Sequence, residues 1–242
     1  MSKLHSAAQR GSGLVARRAF LVGAGALTLS GCMSTLRSPP APEPAPPPPP
    51  PARPLMYQAL PEEQFSVPAV DVSQMGPQWW REEVDYPTAE KPGTLVVDTA
   101  AKYLYHVKPG GRAMRYGIGV GREGFAWQGR AVVAYKRVWP RWTPPDSMVE
   151  RQPELEPYSI ANGGMDPGPT NPLGARALYI HQNGRDTLYR VHGTHQPWSI
   201  GRAVSSGCIR MINQDVVHLH GNVRDGSPIV VIHDGGIEVA AA

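Results

Sequence analysis

Apolar positions along this chain recur mostly at period two, in runs too short for helices. Leu95-Val96-Val97, Tyr103-Leu104-Tyr105-His106-Val107, Tyr116 to Val120 and Ala131 to Val138 have strand length and are broken by turn signals such as Pro109-Gly110-Gly111. Ala177-Leu178-Tyr179-Ile180-His181 and Thr187-Leu188-Tyr189-Arg190-Val191-His192 flank Asn183-Gly184, a dipeptide suited to a hairpin turn because both residues tolerate positive φ. Pro228-Ile229-Val230-Val231-Ile232 reads as a closing strand. A helix is expected after Asn213, with Asn213 as its cap and Val216, Val217 and His220 on its inner face. The interval from Trp139 to Leu173 is rich in proline and shows little periodicity. A connection that long inside a compact domain usually forms a lid or lines a cleft. From Gly93 onward the pattern therefore predicts a mainly β domain with one or two short helices.

The chain before Gly93 is built differently. Ser38 to Pro54 holds 11 prolines, six of them in the unbroken run Pro46 to Pro51. Such a segment is pre-set to polyproline II and extends on the order of 50 Å, at about 3.1 Å per residue. Residues 55–91 carry more acids than bases and place Trp79-Trp80 between Pro77 and Pro87. They are too few for an independent core, and an irregular arm pinned onto the following domain is the expected form.

Charge changes the picture only at the N-terminus. The formal net charge is +4, from 24 basic and 20 acidic side chains. Lys3, Arg10, Arg17 and Arg18 lie in the first 31 residues, which hold no acid, so the remainder is neutral. A neutral remainder gives no electrostatic case for nucleic acid as a partner. Arg17-Arg18 precede an apolar run, Ala19 to Leu29, of signal-peptide length and too short to span a bilayer. The segment resembles a twin-arginine export signal, and Leu29-Ser30-Gly31-Cys32 resembles a bacterial lipobox. That resemblance implies lipidation of Cys32, a membrane anchor followed by the proline spacer, and a place in the bacterial envelope facing the periplasm. Met33 after Cys32 favours the outer membrane by the same resemblance.

The chain has two cysteines, Cys32 and Cys208. With Cys32 acylated, Cys208 is the one thiol of an exported protein and a candidate for chemistry. His192-Gly193-Thr194 ends the hairpin strand, and Ser205-Ser206-Gly207-Cys208-Ile209-Arg210-Met211 follows. A cysteine nucleophile needs a base, a pKa-lowering environment and oxyanion donors. His192 can be the base. Gly207 lets backbone approach a substrate, so the amides of Ser206 and Gly207 can line an oxyanion hole. The helix after Asn213 is expected to aim its positive N-terminal end toward the thiolate.

These residues carry a resemblance. His-Gly-Thr at a strand end, then Ser-x-Gly-Cys-Ile-Arg, with Asn171-Pro172-Leu173-Gly174 upstream, is similar to the signature of the L,D-transpeptidase (YkuD-type) catalytic domain over roughly residues 92–234. The resemblance implies a β-sandwich of mixed sheets with one or two short helices and a long cleft-lining loop. It implies acyl transfer on peptidoglycan stem peptides, with Cys208 as nucleophile and His192 as general base and acid. Arg210, Gly193 and Thr194 become substrate-side residues. No cofactor and no metal is required. The acceptor is an amine, on another stem or on an envelope protein. The family commonly has His where Ser206 stands, which bears on rate or acceptor choice. The implied organisation is a signal peptide over 1–31, a lipid-anchored linker over 32–54, an extension over 55–91, the catalytic domain over 92–234 and a tail over 235–242.

Other readings are weaker. His192-x-x-His195 with Cys208, and His218-x-His220, match no standard zinc spacing. Gly119-x-Gly121-x-x-Gly124 spells a dinucleotide fingerprint, but no helix opens after it. A non-catalytic wall-binding lipoprotein, and a hydrolase of the same fold that uses water as acceptor, remain open alternatives.

Overall fold

A computed structural model describes residues 54–121, 127–205 and 207–233. The leader, Cys32, all of the proline spacer but Pro54, Gly124, Ser206 and the tail beyond 233 lie outside the described residues. In chain order the strands are β1 (Glu82–Asp85), β2 (Leu95–Asp98), β3 (Tyr103–Lys108), β4 (Arg112–Gly117), β5 (Val120–Gly121), β6 (Gly129–Val138), β7 (Arg176–Gln182), β8 (Arg185–Thr194), β9 (Ala203–Ser205), β10 (Ile209–Ile212) and β11 (Pro228–Ile232). Helix α1 is Asp146–Arg151 and α2 is Asn213–Asn222. The fold is the expected mixed, mainly β architecture with two short helices.

Nine strands form one sheet in the order β1-β4-β3-β2-β11-β6-β7-β8-β10, and β5 pairs with β9. β2 with β11 and β8 with β10 are parallel; the other neighbours in the large sheet are antiparallel. The sheet bends so that its far edge returns to the segment after β4. There Gly119 and Arg210 exchange backbone bonds, at 2.9 Å from the Gly119 N–H and 2.8 Å from the Arg210 N–H. The inner faces enclose one core of Leu95, Leu104, Tyr116, Val133, Leu178, Ile180, Val191, Ile209, Met211 and Ile229. Asn183 and Gly184 both have positive φ, 51° and 75°, as a primed hairpin turn between β7 and β8 requires.

Several local expectations are corrected. The run Tyr116 to Val120 is not one strand: β4 starts earlier, at Arg112, and ends at Gly117. Asn213 does not cap α2. It is the first helical residue, and its Oδ1 accepts the Ala175 N–H at 3.0 Å. The inner face of α2 is Val216 and Leu219; Val217 and His220 are only half-buried, because one turn of helix brings residue 219, not 217, under 216. The interval after Trp139 is not wholly irregular, since it contains α1 and a 3₁₀ segment, Pro153–Tyr158. Asn171 ties it together: its Nδ2 donates to the carbonyls of Pro140, Met165 and Asp166, and its Oδ1 accepts from the Leu173 N–H.

Residues 54–81 wrap onto this body without regular strands. Tyr57, Val70, Val72 and Met75 are buried against Ile200 and Ile212, with Trp79 and Trp80 packed alongside. Tyr57 donates its hydroxyl to Asp215 Oδ2 at 3.1 Å, and Arg81 lies 3.5 Å from Asp215 Oδ1. At the other end Glu63 accepts two bonds from Arg176 (2.8 and 2.5 Å) and one from the Trp139 indole (3.0 Å). These polar ties fix the arm at α2 and at the start of β7.

Candidate active site

Strand alternation places the candidate residues on one face. Val191 of β8 and Ile209 and Met211 of β10 point into the core, so Arg190, His192 and Thr194 share the other face with Cys208, Arg210 and Ile212. The parallel register sets Ile209 beside Val191 and Arg210 beside His192. Cys208, one residue before Ile209, therefore stands across from Arg190. His192, beside Arg210, is its diagonal neighbour on the same face.

The electrostatics define the protonation states. Cys208 is half-buried. Burial pushes its thiol up, while the backbone N–H of Arg190 and the charges of Arg190 and Arg210 pull it partly back down. His192 is buried, and desolvation lowers it to about 4, with Arg210 and Arg190 acting in the same direction. Its Nδ1 lies 2.8 Å from the Gly193 carbonyl. A carbonyl only accepts, so the proton sits on Nδ1 and leaves Nε2 as a basic lone pair. At neutral pH Cys208 is therefore a thiol and His192 a neutral imidazole.

Arg190 was not among the residues singled out from the sequence, although the structure puts it beside both groups. Asp186 binds its guanidinium through two bonds of 2.7 Å, and the Tyr189 carbonyl accepts a third at 2.9 Å. It lies over the Tyr179 ring, 4.4 Å from the centroid, and Tyr179 stacks on Tyr135 at 4.4 Å. Register explains the row, since Tyr135 pairs with Tyr179 and Tyr179 with Arg190. With its donors engaged, Arg190 is a fixed positive charge rather than a free ligand. The available signal was the period-two placement of Arg190 with His192.

Arg210 contrasts with it. Its side-chain bond to Gln196 Oε1 is 3.3 Å long, and its buried Nε has no partner among the described residues. A buried guanidinium with unused donors is a candidate carboxylate anchor. Gly193 has a packing role. A Cβ there would meet Asn213 Oδ1 and, at 3.1 Å, Val216, while its carbonyl orients His192. Thr194 is buried, and its hydroxyl accepts from the Gln196 N–H at 3.2 Å. Gly207 has φ 131°, which disfavours any side chain; Ser206, its intended partner in an oxyanion hole, lies outside the described residues. The expected help from the helix is not supplied. α2 starts at the far end of β10, and four strand residues put about 13 Å between its first turn and Cys208. A helix dipole acts mainly within its terminal turn. Among the described residues no three His, Cys, Asp or Glu side chains gather where a metal could sit.

Residues 92–231 match the family described as the L,D-transpeptidase catalytic domain, YkuD. The chain belongs to the L,D-transpeptidase family. The probable L,D-transpeptidase ErfK/SrfK of Escherichia coli (strain K12) is 35% identical over 144 residues, covering 57% of this chain and 43% of that protein. A putative L,D-transpeptidase from the ATP synthase subunits region of Fuscovulum blasticum is 31% identical over 156 residues, covering 63% of this chain and 75% of the relative. A crystal structure from Brucella melitensis, described as a probable carnitine operon oxidoreductase caia, has 44% identity and a TM-score of 0.46, and covers 67% of this chain and 99% of its own. This chain thus spans less than half the length of the E. coli relative.

The L,D-transpeptidase domain match stops short of the arm, yet the arm helps build a cleft with the strand ends Thr194 and Ile212. Val67 to Asp71 and Gln74 meet Thr194 to Trp198 and Ile212 to Gln214 around a cavity of about 290 Å³. Gln196 lines it and also holds Arg210. A larger cavity, about 740 Å³, lies under Tyr86 to Lys91 against β2, β6 and β11 and shares no residue with the Cys208 face.

Proposed function

We propose that this protein is a peptidoglycan L,D-transpeptidase working by acyl transfer through Cys208. One observation carries the reading. His192, with its tautomer set by the Gly193 carbonyl, shares the outer face of a parallel strand pair with Cys208, and fixed positive charge stands beside both.

The Cys208 S–H proton passes to His192 Nε2 as sulfur bonds to the carbonyl carbon of diaminopimelate in a tetrapeptide stem. The oxyanion accepts from backbone N–H groups at Ser206 and Gly207. Collapse breaks the C–N bond to the terminal D-Ala, whose amine takes the proton from His192. An acceptor amine then attacks the thioester, gives its proton to His192 and releases the thiol. The Arg190 charge stabilises sulfur as it becomes anionic, and Arg210 holds a stem carboxylate. No cofactor enters these steps. The acceptor is the amine of a second stem, giving a 3→3 crosslink, or an amine of an envelope protein.

Lipid on Cys32 and the proline spacer place the domain within reach of the wall from an envelope membrane. No helix among the described residues is long and apolar enough to cross a membrane. The test is incubation of the full chain with a tetrapeptide muropeptide, with and without a diaminopimelate amine. Loss of D-Ala with a crosslinked product supports transfer. Loss of D-Ala alone points to water as acceptor, and wall binding without any D-Ala release to a non-catalytic lipoprotein.

A further inference from the structure

The cleft between the arm and the loop after His192 has a composition the transfer reaction itself does not use. Its walls combine an indole, Trp198, 40% exposed, with the polar side chains Asp71, Gln74, His195 and Gln196. The backbone that carries the indole is tied down. It sits in the 3₁₀ turn Pro197–Ser199, where the Ser199 hydroxyl donates to the Gln196 carbonyl at 2.7 Å and the Ile200 N–H to the Pro197 carbonyl at 3.1 Å. The next residue is tied to the body, the Gly201 N–H donating to the Ile118 carbonyl at 2.9 Å. Asp71 is held from the arm side, accepting from the Ser73 hydroxyl at 2.6 Å and the Gln74 amide at 2.7 Å. An exposed aromatic face with convergent carboxylate and amide groups suits a ligand that has one apolar C–H face and a rim of hydroxyl and amide groups. A pyranose ring bearing an N-acetyl group has that character.

Position agrees with composition. Ile212 and Thr194 line this cleft, and Ile212 is four strand residues from Cys208, about 13 Å at 3.3 Å per residue. The first three residues of an extended stem reach about 10 Å, and the linkage to the sugar adds a few ångströms more. A stem whose third carbonyl lies at Cys208 can therefore set the sugar that bears it at the Ile212 edge of this cleft, which Trp198 also lines. We propose that this cleft is a glycan subsite, in which Trp198 stacks on an N-acetylated amino sugar of the substrate strand and Asp71 accepts from its hydroxyls. The inference rests on the peptidoglycan reading above. It gives the arm, which the family domain lacks, a part in substrate choice.

The test is binding of stem-free glycan fragments, oligomers of the wall's N-acetylated amino sugars, to the full chain by calorimetry. The wild type binds, and Trp198→Ala weakens binding about tenfold, as loss of an aromatic anchor does. Asp71→Asn weakens it less, and Trp198→Phe restores part of the loss. In turnover, the KM advantage of a sugar-bearing tetrapeptide over the free tetrapeptide collapses in Trp198→Ala. A wild type that ignores the glycan, or a Trp198→Ala protein that binds it equally well, overturns the subsite. Failure of the enzymatic reading shows differently, as glycan binding with no D-Ala release from either substrate.

Discussion

Arg190 and Cys208 stand opposite each other at the end of the parallel β8–β10 pair, where the backbone amide and the charge of Arg190 both pull the Cys208 thiol down. The guanidinium of the same residue is clamped by Asp186 and stacked on Tyr179, so its charge cannot swing away. Burial alone would keep the thiol inert; the amide and the charge oppose that.

Removing the charge while keeping the amide separates the two effects. Arg190→Gln moves the pH midpoint of Cys208 alkylation by iodoacetamide upward, and reactivity at neutral pH falls about tenfold for each unit of that shift. Even in the wild type the midpoint lies above the ordinary thiol range, because burial is the largest influence. An unchanged midpoint in Arg190→Gln means that the charge does not act on the sulfur.

His192 is predicted to act as base without supporting the fold. His192→Gln lowers the rate of D-Ala release about 100-fold or more, the usual contribution of a positioned general base. The check pairs turnover with near-ultraviolet circular dichroism, which stays native. Full activity in His192→Gln assigns the proton transfer to another group.

The arm is held by the Glu63–Arg176 pair, whose side chains are only 13% and 11% exposed. Glu63→Ala leaves the guanidinium and the Trp139 indole without their acceptor and costs about 2 kcal/mol in urea unfolding. An exposed pair such as Arg141–Asp166 has water as an alternative partner, so Asp166→Ala changes stability little. Equal effects of the two substitutions contradict the anchoring role.

Asp215 supplies a pH signature. Burial raises it from 3.8 to about 7, outweighing Arg81 and the Tyr57 hydroxyl. The folded state thus holds this proton more tightly than the unfolded one. The contribution is complete below the unfolded value and is lost as pH rises through about 7. His192, His218 and His220, each lowered to about 4, act in the opposite sense, and their contribution is lost as pH falls from 6.5 through 4. Between about pH 5 and pH 8, wild type loses stability relative to Asp215→Asn. Parallel stability curves contradict the raised value.

The sequence made the sheet legible where one pattern dominated. Period-two runs marked β2, β3, β6 to β8 and β11, and Asn183-Gly184 marked the hairpin because few other pairs accept two positive φ values. Cys208 and His192 stood out as candidates for chemistry because a thiol and an imidazole at that spacing have few other uses. What was not legible depends on distant contacts. Asn213 looks like a helix cap until Ala175 is found on its Oδ1. Arg190 looks like an ordinary exposed strand residue until register sets Cys208 beside it and Tyr179 beneath it. The arm has no periodicity because side chains such as Tyr57 and Glu63 bond to residues more than a hundred positions away. The helix-dipole expectation failed because β10 stands between Cys208 and α2.

The most direct test of acyl transfer through Cys208 is intact mass and peptide mapping after reaction with a carbapenem-type β-lactam, a trap for the acyl-enzyme. The predicted result is one adduct, mapped to Cys208, formed slowly in His192→Gln and absent in Cys208→Ala. An adduct undiminished in Cys208→Ala, or mapped to another residue, contradicts the assignment.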